Sequence, residues 1–329
     1  MKKLILFLSM SGIVLPADYA VLNTFHIASS GGWDYIFVDP QSNHLYVSHG
    51  TQVNILDKAT GDSLGVIPNT TGVHGIAIAP NGKGYTSNGR INTVTVFDQK
   101  SLAVEAQIPA GQNPDAIFYD DYSGKVVTCN GRSQDLSIID PATNQVVATV
   151  PVGGKPETAV SDGAGKIFVN IEDKAQIIAV DAKTFQVVNR WSIAPGESPS
   201  GLAIDRKTRR LFAGCDNKTL IVLDADKGTV VAQVPIGDGC DGVGFDSKLR
   251  RVYSSNGEGT LTVIQEKDAS TFTVLANVPT KRGARTCTVD ESTHKIYTPT
   301  ADFEATTAPG QRRPNTVPGS FQVLVVGLK

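Results

Sequence analysis

Residues 201–237 read GLAIDRKTRRLFAGCDNKTLIVLDADKGTVVAQVPIG, and this stretch decides the fold. Four short apolar runs alternate there with polar turns, at residues 201–205, 211–213, 220–223 and 230–234. Short apolar runs bounded by turn residues are typical of antiparallel strands. Four such runs in about 40 residues predict one four-stranded antiparallel unit.

The rest of the chain repeats this unit. The residue that ends the first strand recurs with a period of 40 to 44 residues, at Asp39, Ala79, Asp120, Ser161, Asp205, Asp246 and Asp290. An acid that ends the third strand recurs at Asp57, Asp98, Asp140, Asp181 and Asp224. Because one four-stranded sheet cannot bury both of its faces alone, units of this period pack face to face in a closed ring. The sequence therefore predicts an all-β, seven-bladed propeller.

The two ends of the chain predict how the ring closes. The last unit supplies only three strands, at residues 285–289, 295–298 and 321–326. An unassigned strand at residues 19–27, YAVLNTFHI, precedes the first unit and has the pattern of a fourth strand. We expect this strand to pair with the last blade. Residues 18–329 then form a single domain, with a Pro-, Thr- and Gly-rich insertion at residues 299–319 between two strands of the last blade.

Residues 1–17 have the pattern of an export signal. Two lysines precede an apolar run at residues 4–15, which Pro16 and Ala17 follow. The alternative is an additional strand of the fold. An exported protein would be periplasmic or secreted, where disulfides are permitted. Cys215 and Cys240 fall at the same pair of junctions and are the candidates for such a bridge, whereas Cys129 and Cys287 are expected to be small buried thiols.

Charge and composition argue against several partners. The formal net charge is −2 and the sequence pI is about 6.2, so no global field attracts nucleic acid or an anionic membrane. The hairpins DRKTRR and DSKLRR, at residues 205–210 and 246–251, form a small basic patch that we interpret as a solvated surface. We expect no membrane span in the mature chain. We also expect a monomer, because closure of the ring leaves few free strand edges.

Two segments carry a family resemblance. Residues 45–67, LYVSHGTQVNILDKATGDSLGVI, and residues 252–264, VYSSNGEGTLTVI, resemble the YVTN-type repeat of bacterial β-propellers, and the similarity extends over nearly the whole mature chain. The resemblance implies a seven-bladed propeller of a kind found in many exported proteins. It implies little about activity, because a propeller is a scaffold on which many functions occur.

The propeller geometry predicts where a ligand would bind. If the strands of a blade are named a to d from the centre outward, the d–a and b–c loops open on one face around the central channel. The strand-a starts contribute Asp34, His74, Asp115, Glu157, Ser200, Asp241 and Arg285. The strand-b ends contribute His49, Asn88, Asn130, Ile171, Cys215, Asn256 and Thr300. Together these residues predict a polar mouth suited to a cation or to a hydrogen-bonding small molecule.

Several of these positions also have a structural interpretation. Asn88, Asn130 and Asn256 each precede a glycine or lie in a turn pattern, and such residues bond their own main chain. The carboxylates at strand starts are able to bond the neighbouring blade. His49, His74 and Arg285 depart from the repeat, and a turn does not require these departures.

His49 and His74 fall at junctions of adjacent blades. With Asp34 or Asp115 they would supply three ligands and leave an open position, as in a catalytic metal site. Glu157 or Asp115 would then act as a general base, and Arg285 would hold an anionic substrate. The alternative is a pair of hydrogen-bonding histidines, because the chain has no HExxH or CxxC motif.

The sequence leaves two functions open. The first is an exported propeller that binds a small ligand or a protein partner at the channel mouth, without catalysis. The second is a hydrolase or lyase in the same funnel, assisted by a divalent metal. In either case the insertion would offer Phe303 and residues 312–313 (Arg-Arg) to the ligand.

Overall fold

The computed structural model describes residues 18–29, 31–307 and 314–329, and these form seven four-stranded antiparallel sheets. Strand β1 (Tyr19–His26) precedes the first blade. Blade 1 contains β2 (Trp33–Val38), β3 (His44–His49), β4 (Gln52–Asp57) and β5 (Ser63–Ile67). Blade 2 contains β6 (Val73–Ile78), β7 (Lys83–Asn88), β8 (Thr93–Asp98) and β9 (Val104–Pro109). Blade 3 contains β10 (Pro114–Asp120), β11 (Lys125–Asn130), β12 (Asp135–Asp140) and β13 (Gln145–Pro151).

The remaining blades repeat the pattern. Blade 4 contains β14 (Pro156–Ser161), β15 (Lys166–Ile171), β16 (Gln176–Asp181) and β17 (Gln186–Ser192). Blade 5 contains β18 (Pro199–Asp205), β19 (Arg210–Cys215), β20 (Thr219–Asp224) and β21 (Val230–Pro235). Blade 6 contains β22 (Cys240–Asp246), β23 (Arg251–Asn256), β24 (Thr260–Asp268) and β25 (Thr271–Pro279). Blade 7 contains β26 (Thr288–Asp290), β27 (Lys295–Thr300) and β28 (Gln322–Leu328), with β1 as its outer strand. The predicted seven-bladed propeller is confirmed.

Ring closure follows the predicted pairing. Strand β1 lies antiparallel to β28, with Tyr19 opposite Leu328 and His26 opposite Gln322. The Tyr19 hydroxyl also lies 3.0 Å from the hydroxyl of Tyr253 in blade 6. The first and last strands of the ring are therefore joined within one blade. The proposed export signal, residues 1–17, lies outside the described residues.

The innermost strand of blade 7 is shorter than the sequence predicts. Residues 285–289 were expected, and β26 spans only Thr288–Asp290. The reason lies at Arg285, whose carbonyl accepts bonds from the Ser255 hydroxyl at 2.6 Å and from the Asp241 amide at 3.3 Å. The main chain here is bonded to blade 6 before it joins its own blade.

The recurring acid at the end of the third strand closes the turn that follows. Asp57 accepts hydrogen bonds from the amides of Ala59 and Thr60, at 2.8 and 3.0 Å. Asp181 accepts the same pair of bonds from Lys183 and Thr184, at 3.0 and 2.7 Å. A short acidic side chain that bonds the main chain two and three residues ahead stabilises a tight turn. This bonding explains why the period is visible in the sequence.

The core lies between blades. The third residue of the second strand is aromatic in six blades and fully buried, namely Tyr46, Tyr85, Phe168, Phe212, Tyr253 and Tyr297. Nearer the channel the blades meet through small residues. A methyl group added at Gly201 would lie 2.6 Å from the Val243 amide nitrogen, and one at Gly242 would lie 2.7 Å from that of Cys287. Close backbone contact therefore fixes the inner ends of the blades.

The cysteines do not form the suggested bridge between residues 215 and 240. Cys240 accepts a hydrogen bond from the Ser254 hydroxyl at 3.1 Å, and the Cys215 sulfur lies 3.6 Å from the Ala213 carbonyl. Each thiol is thus directed at a partner in its own blade. All four cysteines are free, and Cys129 is fully buried as expected.

A search of the described residues finds no helix with the length and apolar character that a membrane crossing needs.

Candidate functional site

The strand-a starts meet at one end of the channel and form a chain of polar contacts. The His74 Nδ1 atom lies 2.5 Å from Asp34 Oδ2 and 3.5 Å from Asp115 Oδ1. Arg285 lies 3.4 Å from the other oxygen of Asp34 and also forms an ion pair with Asp241. Four blades and the loop before β26 therefore contribute charged groups to one cluster.

The contacts continue into blade 5, and blade 4 adds a separate group of charges. Asp241 accepts a hydrogen bond from Ser200. Glu157 forms a 2.5 Å ion pair with Lys155, which also pairs with Glu172. The structure thus connects six of the seven predicted strand-a positions through side-chain contacts, whereas Glu157 is paired with Lys155. The structural interpretation, in which a carboxylate bonds the neighbouring blade, applies to Asp34 and Asp241. Both join neighbouring blades by pairing with Arg285.

Crowding of carboxylates changes the acid–base behaviour of the mouth. Burial raises the pKa of Asp115, and the nearby charge of Asp34 raises it further. Burial likewise raises the pKa of Glu157, with Asp115 as the second cause. Burial alone would lower the pKa of His74, but its hydrogen bond to Asp34 and the charge of Asp115 outweigh this effect and raise it. The mouth therefore holds protons more tightly than isolated side chains would.

Tyr35 closes the channel below this cluster. Its hydroxyl lies 3.3 Å from the Thr158 hydroxyl. Tyr35 belongs to β2 in blade 1 and Thr158 to β14 in blade 4, so the side chain reaches across the ring. Burial and the charges of Asp115, Glu157 and Asp34 raise the pKa of Tyr35 well above its usual range. Its phenol is therefore a neutral group beside the charged cluster.

Two clefts open on the mouth face and share Gly32, Trp33 and Arg285. The first, which we call the aromatic cleft, has a volume of about 370 Å³. Besides the shared residues it is lined by Gly239, Gly257, Arg282, Gly283 and Phe303. The second, which we call the histidine cleft, has a volume of about 360 Å³ and is lined by Asp34, His74 and Arg90 among others. The mouth therefore offers one aromatic site and one polar site on either side of Arg285.

The insertion of blade 7 places Phe303 at the aromatic cleft. Both ends of the insertion are described, and they pair through a bridge between Phe303 and Thr316. The Phe303 ring centroid lies 6.1 Å from that of Trp33, and the Arg282 guanidinium lies 5.4 Å from the same Phe303 centroid. Residues 312–313, which the sequence suggested as ligand contacts, lie outside the described residues.

His49 does not join His74. Its Nδ1 atom lies 2.6 Å from the Ser29 hydroxyl and its Nε2 atom 3.0 Å from the Gly31 carbonyl. The ring also stacks on Phe321, with 3.7 Å between centroids, and is 1% exposed. Both ring nitrogens are therefore occupied, and burial lowers the pKa of His49 to about 4. The expected pair of histidine ligands is not formed, and the alternative of a hydrogen-bonding histidine describes His49.

The three strand-b asparagines are buried and fully bonded, so they do not face a ligand. Asn88 accepts a bond from Thr86 at 2.9 Å and donates to Thr95 at 2.8 Å. The same arrangement recurs at Asn130 with Thr128 and Ser137, and at Asn256 with Ser254 and Thr262. All three asparagines are 0% exposed. Their side chains join the second and third strands of their blades. The sequence predicted either contact with a ligand or hydrogen bonds to the main chain of a turn, and the structure shows neither.

The basic hairpins lie at the opposite end of the ring. Arg206 forms a bidentate pair with Asp121, at 2.7 and 3.0 Å. Arg209 pairs with Asp162 at 2.9 Å and with Asp226 at 2.8 Å. Much of the positive charge on this surface is therefore neutralised within the protein.

Four residues of the mouth were missed at the level of sequence, namely Trp33, Tyr35, Lys155 and Arg282. Tyr35 had a detectable signal. The residue after each strand-a start is small in the other six blades, at Gly75, Ala116, Thr158, Gly201, Gly242 and Thr286. When one blade has a large side chain at a position that is small in the other six, this side chain is expected to fill the space that the others leave. Arg282 and Lys155 lie in irregular loops, and the repeat carries no signal for them.

Comparisons with known proteins identify the fold. Neither a family model nor a curated protein matches the chain. Among solved structures, Kuenenia stuttgartiensis hydrazine synthase aligns with a TM-score of 0.74 at 15% identity, over 83% of this chain and 94% of that chain. U3-55K aligns with a TM-score of 0.76 at 10% identity, over 93% and 98%. The RRP9 WD40 repeats align with a TM-score of 0.77 at 11% identity, over 95% and 99%. At these identities the likeness shows the fold alone: the chain is a seven-bladed β-propeller with WD40-like structural neighbours.

Proposed function

We propose that this propeller is exported and binds a small anionic aromatic ligand at the mouth of its channel. Export rests on the pattern of residues 1–17, and the resemblance to YVTN-type propellers supports it. The ligand site rests on one observation. In the aromatic cleft the exposed side chain of Arg282 lies beside the rings of Phe303 and Trp33.

The chemistry of the aromatic cleft selects the ligand class. Trp33 and Phe303 offer apolar walls, on which a flat ring is able to stack. Arg282 forms no ion pair with any acid in the described part of the chain, whereas Arg285 is held by Asp34 and Asp241. A guanidinium binds a carboxylate through two parallel hydrogen bonds. An aromatic carboxylate would therefore satisfy both kinds of group at once.

Calorimetric titration with 2-naphthoate tests this proposal. We expect saturable binding to the full chain, and at least about tenfold weaker binding to Arg282→Met, which corresponds to about 1.4 kcal/mol. Trp33→Leu should weaken binding as well, and neutral 2-naphthalenemethanol should bind more weakly than the carboxylate. Arg206→Met, at the opposite end of the ring, is the matched control and should bind like the wild type. Absence of saturable binding, or equal affinity of Arg282→Met, would reject the proposal.

A second candidate is a hydrolase or lyase in the same funnel. The observation that favours it is the buried Glu157, whose pKa is raised by burial and by Asp115. A carboxyl group that keeps its proton near neutral pH acts as a general acid, whereas the sequence suggested a general base. The sequence also suggested Arg285 as the residue that holds a substrate anion, but Asp34 and Asp241 already pair with it.

Chromogenic substrates test the second candidate. We expect the wild type to hydrolyse 4-nitrophenyl acetate or 4-nitrophenyl phosphate faster than buffer does, and Glu157→Gln to lose this activity. Glu105→Gln, which removes an acid at the outer surface paired with Lys83, is the control. Hydrolysis at the buffer rate, or equal rates for wild type and Glu157→Gln, would count against an esterase or phosphatase.

A further inference from the structure

We infer that Asp34, His74 and Asp115 form a binding site for a divalent transition-metal ion, of the kind represented by Zn²⁺ and Mn²⁺. The three side chains come from strands β2, β6 and β10 of three consecutive blades. One ligand atom from each lies within 4.8 Å of the other two. Neither Arg282 nor Glu157 is a ligand of this site, although Asp115 also raises the pKa of Glu157, on which the enzymatic candidate rests.

The distances suit a small ion after a limited adjustment. Metal–ligand bonds of about 2.0 to 2.2 Å in a tetrahedron separate the ligand atoms by about 3.3 to 3.6 Å. The gap of 3.5 Å between His74 Nδ1 and Asp115 Oδ1 already has this length. The 2.5 Å contact between His74 Nδ1 and Asp34 Oδ2 is a hydrogen bond, and an ion would take the place of its proton. Asp34 would then move outward by about 1 Å.

The charge around the site favours a cation. The contacts that begin at His74 connect three carboxylates, those of Asp34, Asp115 and Asp241. Among the described residues, the permanently charged cations here are Arg285, which takes part in these contacts, and Arg90, which lines the adjacent cleft. Negative charge is therefore in excess in a partly buried place, where unbalanced charge is costly. A divalent ion would compensate it.

The site is accessible and its imidazole is held in place. Asp34 and His74 both line the histidine cleft, so a fourth ligand such as water is able to reach the ion. On the far side of the ring, His74 Nε2 faces Gly89. A methyl group on Gly89 would lie 2.6 Å from this nitrogen, so the glycine leaves the space that the ring occupies. The orientation that directs Nδ1 toward both carboxylates depends on this space.

The donor set limits which ions fit. One imidazole nitrogen and two carboxylate oxygens suit Zn²⁺, Mn²⁺, Fe²⁺ or Co²⁺, and they do not suit ions that require thiolates. The single nitrogen also distinguishes the site from an all-oxygen calcium site. Co²⁺ is therefore a useful spectroscopic probe, because its visible absorption reports the coordinating atoms.

Metal titration of the full, tag-free chain tests the inference. After treatment with a chelator, the protein should bind one equivalent of Zn²⁺ by calorimetry and develop a visible Co²⁺ spectrum. His74→Gln and Asp115→Asn should each weaken Zn²⁺ binding by about 100-fold or more. Removal of a residue that only contacts a metal ligand would weaken binding by less. Gly89→Ala keeps all three ligands and should also weaken it, because it displaces the ring. His44→Gln is the control and should bind Zn²⁺ like the wild type. His44 begins strand β3 and bonds to Tyr46.

Two results would overturn the inference. One is a wild-type chain that binds neither Zn²⁺ nor Mn²⁺ at millimolar concentration. The other is Zn²⁺ binding of equal strength in His74→Gln, Asp115→Asn and the wild type. If His74→Gln does not fold, Asp115→Asn and Gly89→Ala give the same comparison. Because these titrations contain no naphthoate and measure no turnover, their outcome is separate from that of the proposed function.

Discussion

The Tyr35 hydroxyl lies 3.3 Å from the Thr158 hydroxyl, although the two residues belong to blades on opposite sides of the ring. The tyrosine therefore spans the channel and supports the polar mouth from below. Tyr35 also packs against the apolar cluster that contains Ala116 and Ala159. The Tyr35 side chain thus links blade 1 to blade 4 and to this apolar cluster.

Truncation of Tyr35 should destabilise the ring. Tyr35→Ala removes the ring of a partly buried residue, so we expect the free energy of unfolding to fall by about 2 kcal/mol, less than for a fully buried aromatic residue. Tyr35→Phe removes only the hydroxyl and should cost about 1 kcal/mol. Urea denaturation measures both. Tyr122→Ala, at a tyrosine that is 49% exposed, is the control and should change stability little. An equal cost for Tyr35→Ala and Tyr122→Ala would contradict this role.

Gly242 should not tolerate a side chain. A methyl group there would lie 2.7 Å from the Cys287 nitrogen and 2.8 Å from the Thr286 Cα atom, which are backbone atoms of the next blade. Gly242→Ala should therefore lower stability by about 1 to 3 kcal/mol through overpacking. At Gly32 a methyl group would meet no atom within 4 Å, so Gly32→Ala should be nearly neutral. Thermal melting of both variants checks the prediction, and a neutral Gly242→Ala would refute the close contact between blades.

His49 should make stability depend on pH. Its pKa is lowered from 6.5 to about 4 by burial, so the unfolded chain binds the proton more readily than the folded one. The resulting stability is present above pH 6.5 and is lost as the pH falls toward 4. Between pH 7.5 and pH 5 we expect a loss of roughly 1 to 2 kcal/mol from this residue.

The substitution His49→Asn isolates this effect. Asparagine occupies the matching position in three other blades, so the variant should fold. Urea denaturation at the two pH values should show a smaller loss of stability in His49→Asn than in the wild type. Equal losses would mean that His49 is able to accept a proton in the folded state.

The cysteines should be unreactive and unpaired. Burial raises the pKa of Cys215 and of Cys240 to about 12, and that of Cys287 to about 11. Since the thiolate is the reactive form, a thiol reagent should modify none of the four cysteines rapidly in the native protein. In denaturant without reductant, all four should react. Reaction of only two thiols in denaturant would show that a disulfide had formed.

The architecture could be predicted from the sequence because each blade carries its own local signals. Asp57 and Asp181 close their turns through bonds that span only a few residues, so their spacing is preserved in the linear chain. The ring closure was also visible, because an extra strand at one end matched a missing strand at the other. These features depend on neighbours in sequence or on a simple count of strands.

The candidate site could be predicted only in part. The repeat correctly aligned the strand-a starts, and from their alignment came the cluster of Asp34, His74 and Asp115. The same reasoning included His49, which instead bonds Ser29 and Gly31, two residues of a segment outside the repeat. It also included Asn256, whose partners are the hydroxyl groups of Ser254 in its own strand and of Thr262 in the adjacent strand. A periodic pattern states which positions are equivalent, and it does not state which way each side chain turns.

The sequence by itself determined the number of blades, the order of the strands and the end of the channel at which charged residues collect, because these follow from local turns and a fixed period. Only the tertiary structure decided which charges touch. Asp34 and Arg285 are 251 positions apart, yet they are neighbours because the ring closes between blades 7 and 1. The reach of Tyr35 across the channel has the same origin. Contacts between distant segments depend on the packing of all seven blades, and no local pattern encodes them.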